Sequence, residues 1–198
     1  MEYLRQIFTP HGAALLMLMV TSTFAMGRIF TILGDLRKQV SAIDELVPHL
    51  RAALSARNFT KAAVLAASRN DSIGKLMSAI LTEPTRDPRR MRLIYKVNID
   101  TELRSRFNNL VPLKGLAAMS LLVGAAGAGL SWFVVDAGIE TIMKRALVVG
   151  ISGLLVFLYT VTLYLVLKRK EIELNDIMAA EALKLIDTAT RTGGEMVG

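Results

Sequence analysis

The sequence predicts an all-α membrane protein with three transmembrane helices and long helical extensions on the cytoplasmic side. Three observations carry that expectation. Hydrophobic residues make up 53% of the chain and the mean hydropathy is +0.43, too apolar for an ordinary soluble domain of 198 residues. Three separate stretches are long and uncharged enough to cross a bilayer. Lys and Arg gather at one set of span ends, which fixes an orientation.

The first span is residues 12–34, GAALLMLMVTSTFAMGRIFTILG, with Arg28 as its single charge. About 20 residues at ~1.5 Å each cross a hydrocarbon layer of roughly 30 Å, so this stretch is sufficient. A cleaved signal peptide carries its positive charge before the apolar run, whereas Arg28, Arg37 and Lys38 lie within it or after it. Residues 1–34 are therefore read as an outer N-terminus and a retained first span. Arg28 lies near the cytoplasmic end, where its long side chain can reach the headgroups, and reads as a membrane anchor. Thr21, Ser22 and Thr23 are expected to bond to carbonyls one turn back.

Residues 35–114 read as a cytoplasmic helical region. Val40, Ile43, Val47, Leu50 and Leu54 recur at helical spacing, with Pro48 as a potential kink or break. A short helix fits NFTKAAVLAASRN, with Asn58 or Thr60 at its start. Another fits DSIGKLMSAIL, with Ser72 as cap and Ile73, Leu76, Met77 and Ile80 on one face. After the break TEPTRDPRR, the residues Met91, Ile94, Leu103, Phe107 and Leu110 mark a long amphipathic stretch leading into the second span.

Residues 115–167 hold the second and third spans, 115–135 and 146–167, joined by a short periplasmic turn. Neither carries a charge. Residues 168–198 continue as a cytoplasmic C-terminal helix with Ile172, Met178 and Leu185 on its apolar face, ending near Gly193 and Gly194. Arg37, Lys38, Lys114, Lys168, Arg169 and Lys170 crowd the span ends on one side, against Arg5, Lys144 and Arg145 on the other. The richer side is expected to be cytoplasmic. The net charge of +7 is then an orientation signal, and nucleic acid is not an expected partner.

The second span is unusually small-sided. At 100° per residue Ala117, Ser120, Gly124, Ala128 and Ser131 fall on one face, with the span's only two hydroxyls among them. Such a stripe serves either as a close helix contact, each Ser bonding to its own preceding turn, or as the lining of a pore or partner groove. In the third span Gly150, Gly153 and Phe157 share a face that Thr160 and Tyr164 extend. Pore-lining or partner-binding candidates are thus Ala117, Ser120, Gly124, Ala128, Ser131, Gly150 and Gly153.

Catalysis is not expected. His11 and His49 fall on opposite predicted sides, no acidic pair lies inside a span, and no nucleophile constellation or metal-ligand spacing can be drawn. The absence of Cys excludes disulfides and thiolate metal sites. Neither a metal nor a cofactor is implied.

Several strings resemble the MotA/TolQ/ExbB proton-channel family, in particular its shorter TolQ/ExbB branch. GRIFTILGDLRK resembles the end of the family's first span, and LRAALSARNFTKAAVLAASRNDSIGKLMSAIL its helical insertion. LLVGAAGAGLSWF is similar to the Gly-rich second-span motif and RALVVGISGLL to the third-span pattern. The resemblance implies a subunit of a proton-motive-force-driven motor in the bacterial inner membrane, with a periplasmic N-terminus and a cytoplasmic C-terminus. It further implies a self-oligomer of five copies around an ExbD/TolR-like single-span partner, delivering work to the cell envelope. Positions where that family presents Thr to the ion path fall on Ala128 and Gly150, and a family Pro falls near Leu121. The spans hold no acidic residue, so a proton relay would need an Asp from the partner. The alternative is a non-conducting scaffold of the same fold; a solute transporter lacks support, since no inverted repeat or broken helix pair is visible.

Overall fold

A computed structural model describes residues 9–83, 87–133 and 138–194, with side chains as far as Arg191. Arg5, Arg86, the end of the second predicted span at Val135, and the chain beyond Gly194 lie outside the described residues. The elements are α1 (Pro10–Ser55), α2 (Phe59–Ala67), α3 (Ser72–Leu81), α4 (Pro88–Leu130), a 3-10 turn (Ser131–Phe133) and α5 (Ile139–Gly194). Among the described residues there is no strand. Helices α1, α4 and α5 are long and apolar enough to cross a membrane, so the protein is an all-α membrane protein with three candidate spans. At 46, 43 and 56 residues each is at least about twice as long as a crossing requires.

The first span and the helix expected after it form one uninterrupted rod. Pro48 lies inside α1 without ending it. A proline there removes the bond to the carbonyl of Asp44, but both residues are exposed, so water can serve that carbonyl. The opposite face meanwhile buries Ile43, Leu46, Val47, Leu50 and Leu54. Burial on this scale, at about 1.5–3 kcal/mol for each large side chain, outweighs the proline penalty of roughly 3 kcal/mol.

The rod stops at a tight C-terminal turn. Asn58 N–H donates to the Ala53 carbonyl and Arg57 N–H to that of Leu54, each at 2.9 Å, while Arg57 takes φ 55°. This is the Schellman arrangement, with Arg in the left-handed position that Gly usually fills. Asn58 then caps α2 as expected, its side chain accepting from Lys61 N–H at 2.9 Å. The cap of α3 is one residue earlier than predicted: Asp71 accepts from Gly74 N–H at 2.7 Å. Ser72 is instead the first helical residue, and its hydroxyl donates to Glu102.

The chain divides into two compact units. One comprises Met1–Ile32 and Asn109–Lys168, the other Leu33–Asn108 and Arg169–Gly198. In the first unit α1 turns Ala14, Leu18, Ala25, Ile29 and Ile32 inward, at spacings of three, four and seven that keep one face. Leu110, Leu113 and Ala117 of α4 and Val149 and Leu167 of α5 are also buried there.

The second unit has an ordinary apolar core. Ala62 and Ala66 of α2, Ile73, Leu76, Met77 and Ile80 of α3, and Met178, Ala182, Leu185 and Ile186 of α5 are all buried. Several residues expected on apolar faces are less covered. Val40 and Ile172 are exposed, and Ile94, Leu103 and Phe107 are half-buried. One largely buried ionic cluster ties α4 to α5. Arg106 reaches Glu171 at 3.4 Å and Glu102 at 3.3 Å, and its guanidinium also donates to the Met178 sulfur at 3.6 Å.

Candidate functional site

The small-residue stripe predicted on the second span is largely consumed inside the chain. Ala117, Ser120, Gly124 and Ser131 of α4 and its continuing turn are buried, as is Gly153 of α5. The contact is backbone to backbone. A Cβ placed on Gly153 would stand 2.6 Å from the Gly124 Cα and 2.9 Å from the Ser120 carbonyl oxygen. A Cβ on Gly124 would stand 2.8 Å from the Gly153 Cα. No side chain fits at either place. With no hydrophobic drive between helices in lipid, such close approach provides the van der Waals contact that holds spans together.

The two stripe hydroxyls serve their own helix. Ser120 donates to the Ala117 carbonyl at 2.7 Å and Ser131 to that of Gly127 at 2.8 Å. Thr160, buried at 1% exposure, does the same to Val156 at 2.8 Å. These groups satisfy the backbone locally and offer no free donor to a water chain. Thr21 and Thr23 follow the expected pattern, donating to Met17 and Met19 at 2.8 and 2.9 Å.

Ala128 and Gly150 lie apart from the buried contact. Both are half-buried and line an open groove of about 410 Å³ with Trp132, Met143, Ala146 and Leu147. Ile151 and Leu154 complete its wall. A Cβ on Gly150 would meet only the Ala128 Cβ, at an ordinary 3.7 Å. The seven candidates therefore divide into a closed contact and the floor of an apolar groove. Every side chain lining that groove is apolar apart from the indole N–H of Trp132, so it suits a hydrophobic helix or acyl chain better than an ion.

Sequence reasoning missed a second close approach. A Cβ on Gly127 would collide with the Ala14 Cβ of α1 and lie 2.8 Å from Val149 Cγ1. The available signal was the spacing: Gly124 and Gly127, like Gly150 and Gly153, are three apart and so flank one helical face. At the base of the spans the Lys114 ammonium sits over the Tyr164 ring, 5.1 Å from its centroid, a cation–π contact. Arg28 is exposed on α1, which leaves its guanidinium able to extend along the helix. The Tyr159 hydroxyl donates to the Met26 sulfur at 2.9 Å. Among the described residues no three His, Asp or Glu side chains gather as a metal centre.

No family model, no curated protein and no solved structure matches this chain.

Proposed function

We propose that the protein is an inner-membrane subunit of a TolQ/ExbB-like, proton-motive-force-driven complex. Five copies surround the single membrane helices of a smaller ExbD/TolR-like partner, and the assembly transmits work to the cell envelope. The observation that carries this reading is the element order. One long apolar helix is followed by two short helices and then two long apolar helices, the arrangement that the resembling strings imply.

Uncovered surface supports the oligomer. Only 22%, 28% and 17% of the three spanning windows is buried within the chain, leaving most of each helix for lipid and for neighbouring helices. The groove over Ala128 and Gly150 is the natural seat for a partner helix, because its floor is small and its walls are bulky. Residues 35–114 and 168–198 lie on the cytoplasmic side in this reading. The basic residues Arg37, Lys38, Lys168, Arg169 and Lys170 at the span ends support that side.

A second reading is favoured by a specific observation. Ala128 and Gly150 supply no hydroxyl, and Ser120 and Ser131 are buried against their own helix. A chain with this groove is a non-conducting scaffold unless a partner brings the titratable group. Native mass measurement on complexes extracted from the protein's own membrane tests the main reading. Expected are several identical copies carrying a single-span protein with an intramembrane Asp. A lone monomer, or a homo-oligomer with no single-span companion, would reject it.

A further inference from the structure

We propose that the pocket at Arg37, Lys38, Gln39 and Ser41 binds the headgroup of an anionic phospholipid that carries free hydroxyls, of the phosphatidylglycerol type. The pocket has a volume of about 520 Å³ and is also lined by Arg69 and Asp71. This inference rests on α1 crossing the bilayer, and on neither the ring nor the motor.

Depth comes first. The first span ends at Gly34, so at ~1.5 Å per residue Arg37 and Lys38 fall roughly 5–6 Å beyond the hydrocarbon and Ser41 about 10 Å beyond it. A headgroup layer adds roughly 5–7 Å on each side of the apolar core. The two cations are therefore level with lipid phosphates, and Ser41 is just beneath them.

Charge comes second. The lining holds three cations against one carboxylate. Arg69 is committed to its own ion pairs, with Asp71 at 2.8 Å and Glu45 at 2.9 Å, and Asp71 also caps α3. Those hydrogen bonds raise the Arg69 pKa. Arg37 and Lys38, by contrast, form no ion pair among the described residues, and the Ser41 hydroxyl has no hydrogen bond there. Two free cations and a hydroxyl donor are a phosphate-binding set.

The third observation selects the headgroup. The Gln39 side-chain oxygen is buried and accepts no hydrogen bond among the described residues. A buried acceptor left unpaired costs about 1–3 kcal/mol, and Gln39 lines the pocket, so a donor bound there that the half-buried side chain turns to meet would remove that cost. Phosphate alone, fully ionised, brings none. A glycerol headgroup attached to that phosphate brings hydroxyls that reach a neighbouring acceptor. The acyl chains remain in the bilayer, beside the exposed Leu33.

The test uses the full chain, delipidated in a neutral detergent, with lipid binding counted by native mass spectrometry. The probes are phosphatidylglycerol, phosphatidylmethanol (the same charge without a free hydroxyl), phosphatidylcholine and soluble glycerol phosphate. Phosphatidylglycerol is expected to bind best. The double variant Arg37→Gln/Lys38→Gln should weaken it about thirtyfold, the effect of two interfacial cations. Lys61→Gln/Lys75→Gln, which removes two cations outside the pocket, should not. Gln39→Leu should abolish the preference for phosphatidylglycerol over phosphatidylmethanol while retaining the preference of both over phosphatidylcholine. Equal binding of phosphatidylglycerol and phosphatidylcholine would overturn the proposal. So would equal binding of phosphatidylmethanol by the unmodified chain, or glycerol phosphate binding as tightly as the lipid.

Discussion

Gly124 and Gly153 meet through their backbones, the Cα of each standing only 2.6–2.8 Å from where a Cβ on the other would lie. Gly150, three residues earlier on α5, has room for a methyl group, with only the Ala128 Cβ at 3.7 Å. Two glycines on one helix thus differ in what they permit. Gly153→Ala must push α4 and α5 apart and is expected to destabilise the membrane unit by at least ~1–3 kcal/mol. Gly150→Ala should lie within about 0.5 kcal/mol of the parent, as mild surface changes do. Thermal unfolding of both variants in one detergent checks this, and equal midpoints would refute the close contact.

The Arg106 and Glu171 pair yields a prediction about charge. Their side chains are 8% and 9% exposed, and removing one partner of a buried pair typically costs about 3–5 kcal/mol. Arg106→Met should therefore be strongly destabilising, and Arg106→Met/Glu171→Leu should recover much of the loss. An additive double variant, measured by denaturant unfolding, would show that the two charges are not coupled.

Glu171 also sets a pH dependence. Burial pushes its carboxyl above the ordinary glutamate value; Arg106 opposes that shift, and Glu102 and Asp35 add to it. The native state therefore holds this proton more tightly than the unfolded chain does. Its contribution is greatest below the ordinary glutamate value, declines as pH rises from there to the raised native value, and then levels off. Glu171→Gln should flatten that segment of the stability profile. An unchanged slope would place the titration elsewhere.

Orientation is testable at two points. A reporter fused after Gly198, or inserted near Arg86, is expected to be active only as a cytoplasmic reporter. Activity of a periplasmic reporter at either position would reverse the assignment made from the basic span ends.

The spans and short helices were legible because each rests on local pattern. Apolar length marks the first span, and Asn58 and the Ile73, Leu76, Met77 and Ile80 face mark the short helices. Cap position was legible only to within a residue, since both Asp71 and Ser72 have suitable side chains and the backbone decided between them. Continuity through Pro48 was not legible, because it depends on which face of α1 is covered. The stripe on the second span could be read from spacing, but its use could not. Periodicity places Ser120, Gly124 and Ala128 together; only three-dimensional packing separates the closed Gly124–Gly153 contact from the open Ala128–Gly150 groove. The Arg106–Glu171 pair joins residues 65 apart in sequence, beyond the reach of any local pattern.

Proton flux tests the account most directly. Moving a charge through the bilayer centre costs at least ~2.5–3.5 kcal/mol, and the groove over Ala128 and Gly150 offers no titratable group to lower that cost. The decisive measurement is the decay of an imposed pH gradient in liposomes, with the purified chain alone and then together with the proposed single-span partner. The expected result is no decay beyond that of empty liposomes for the chain alone, and faster decay with the partner that disappears when its intramembrane Asp becomes Asn. Robust collapse by the chain alone, or an intact gradient with the partner present, would contradict the account.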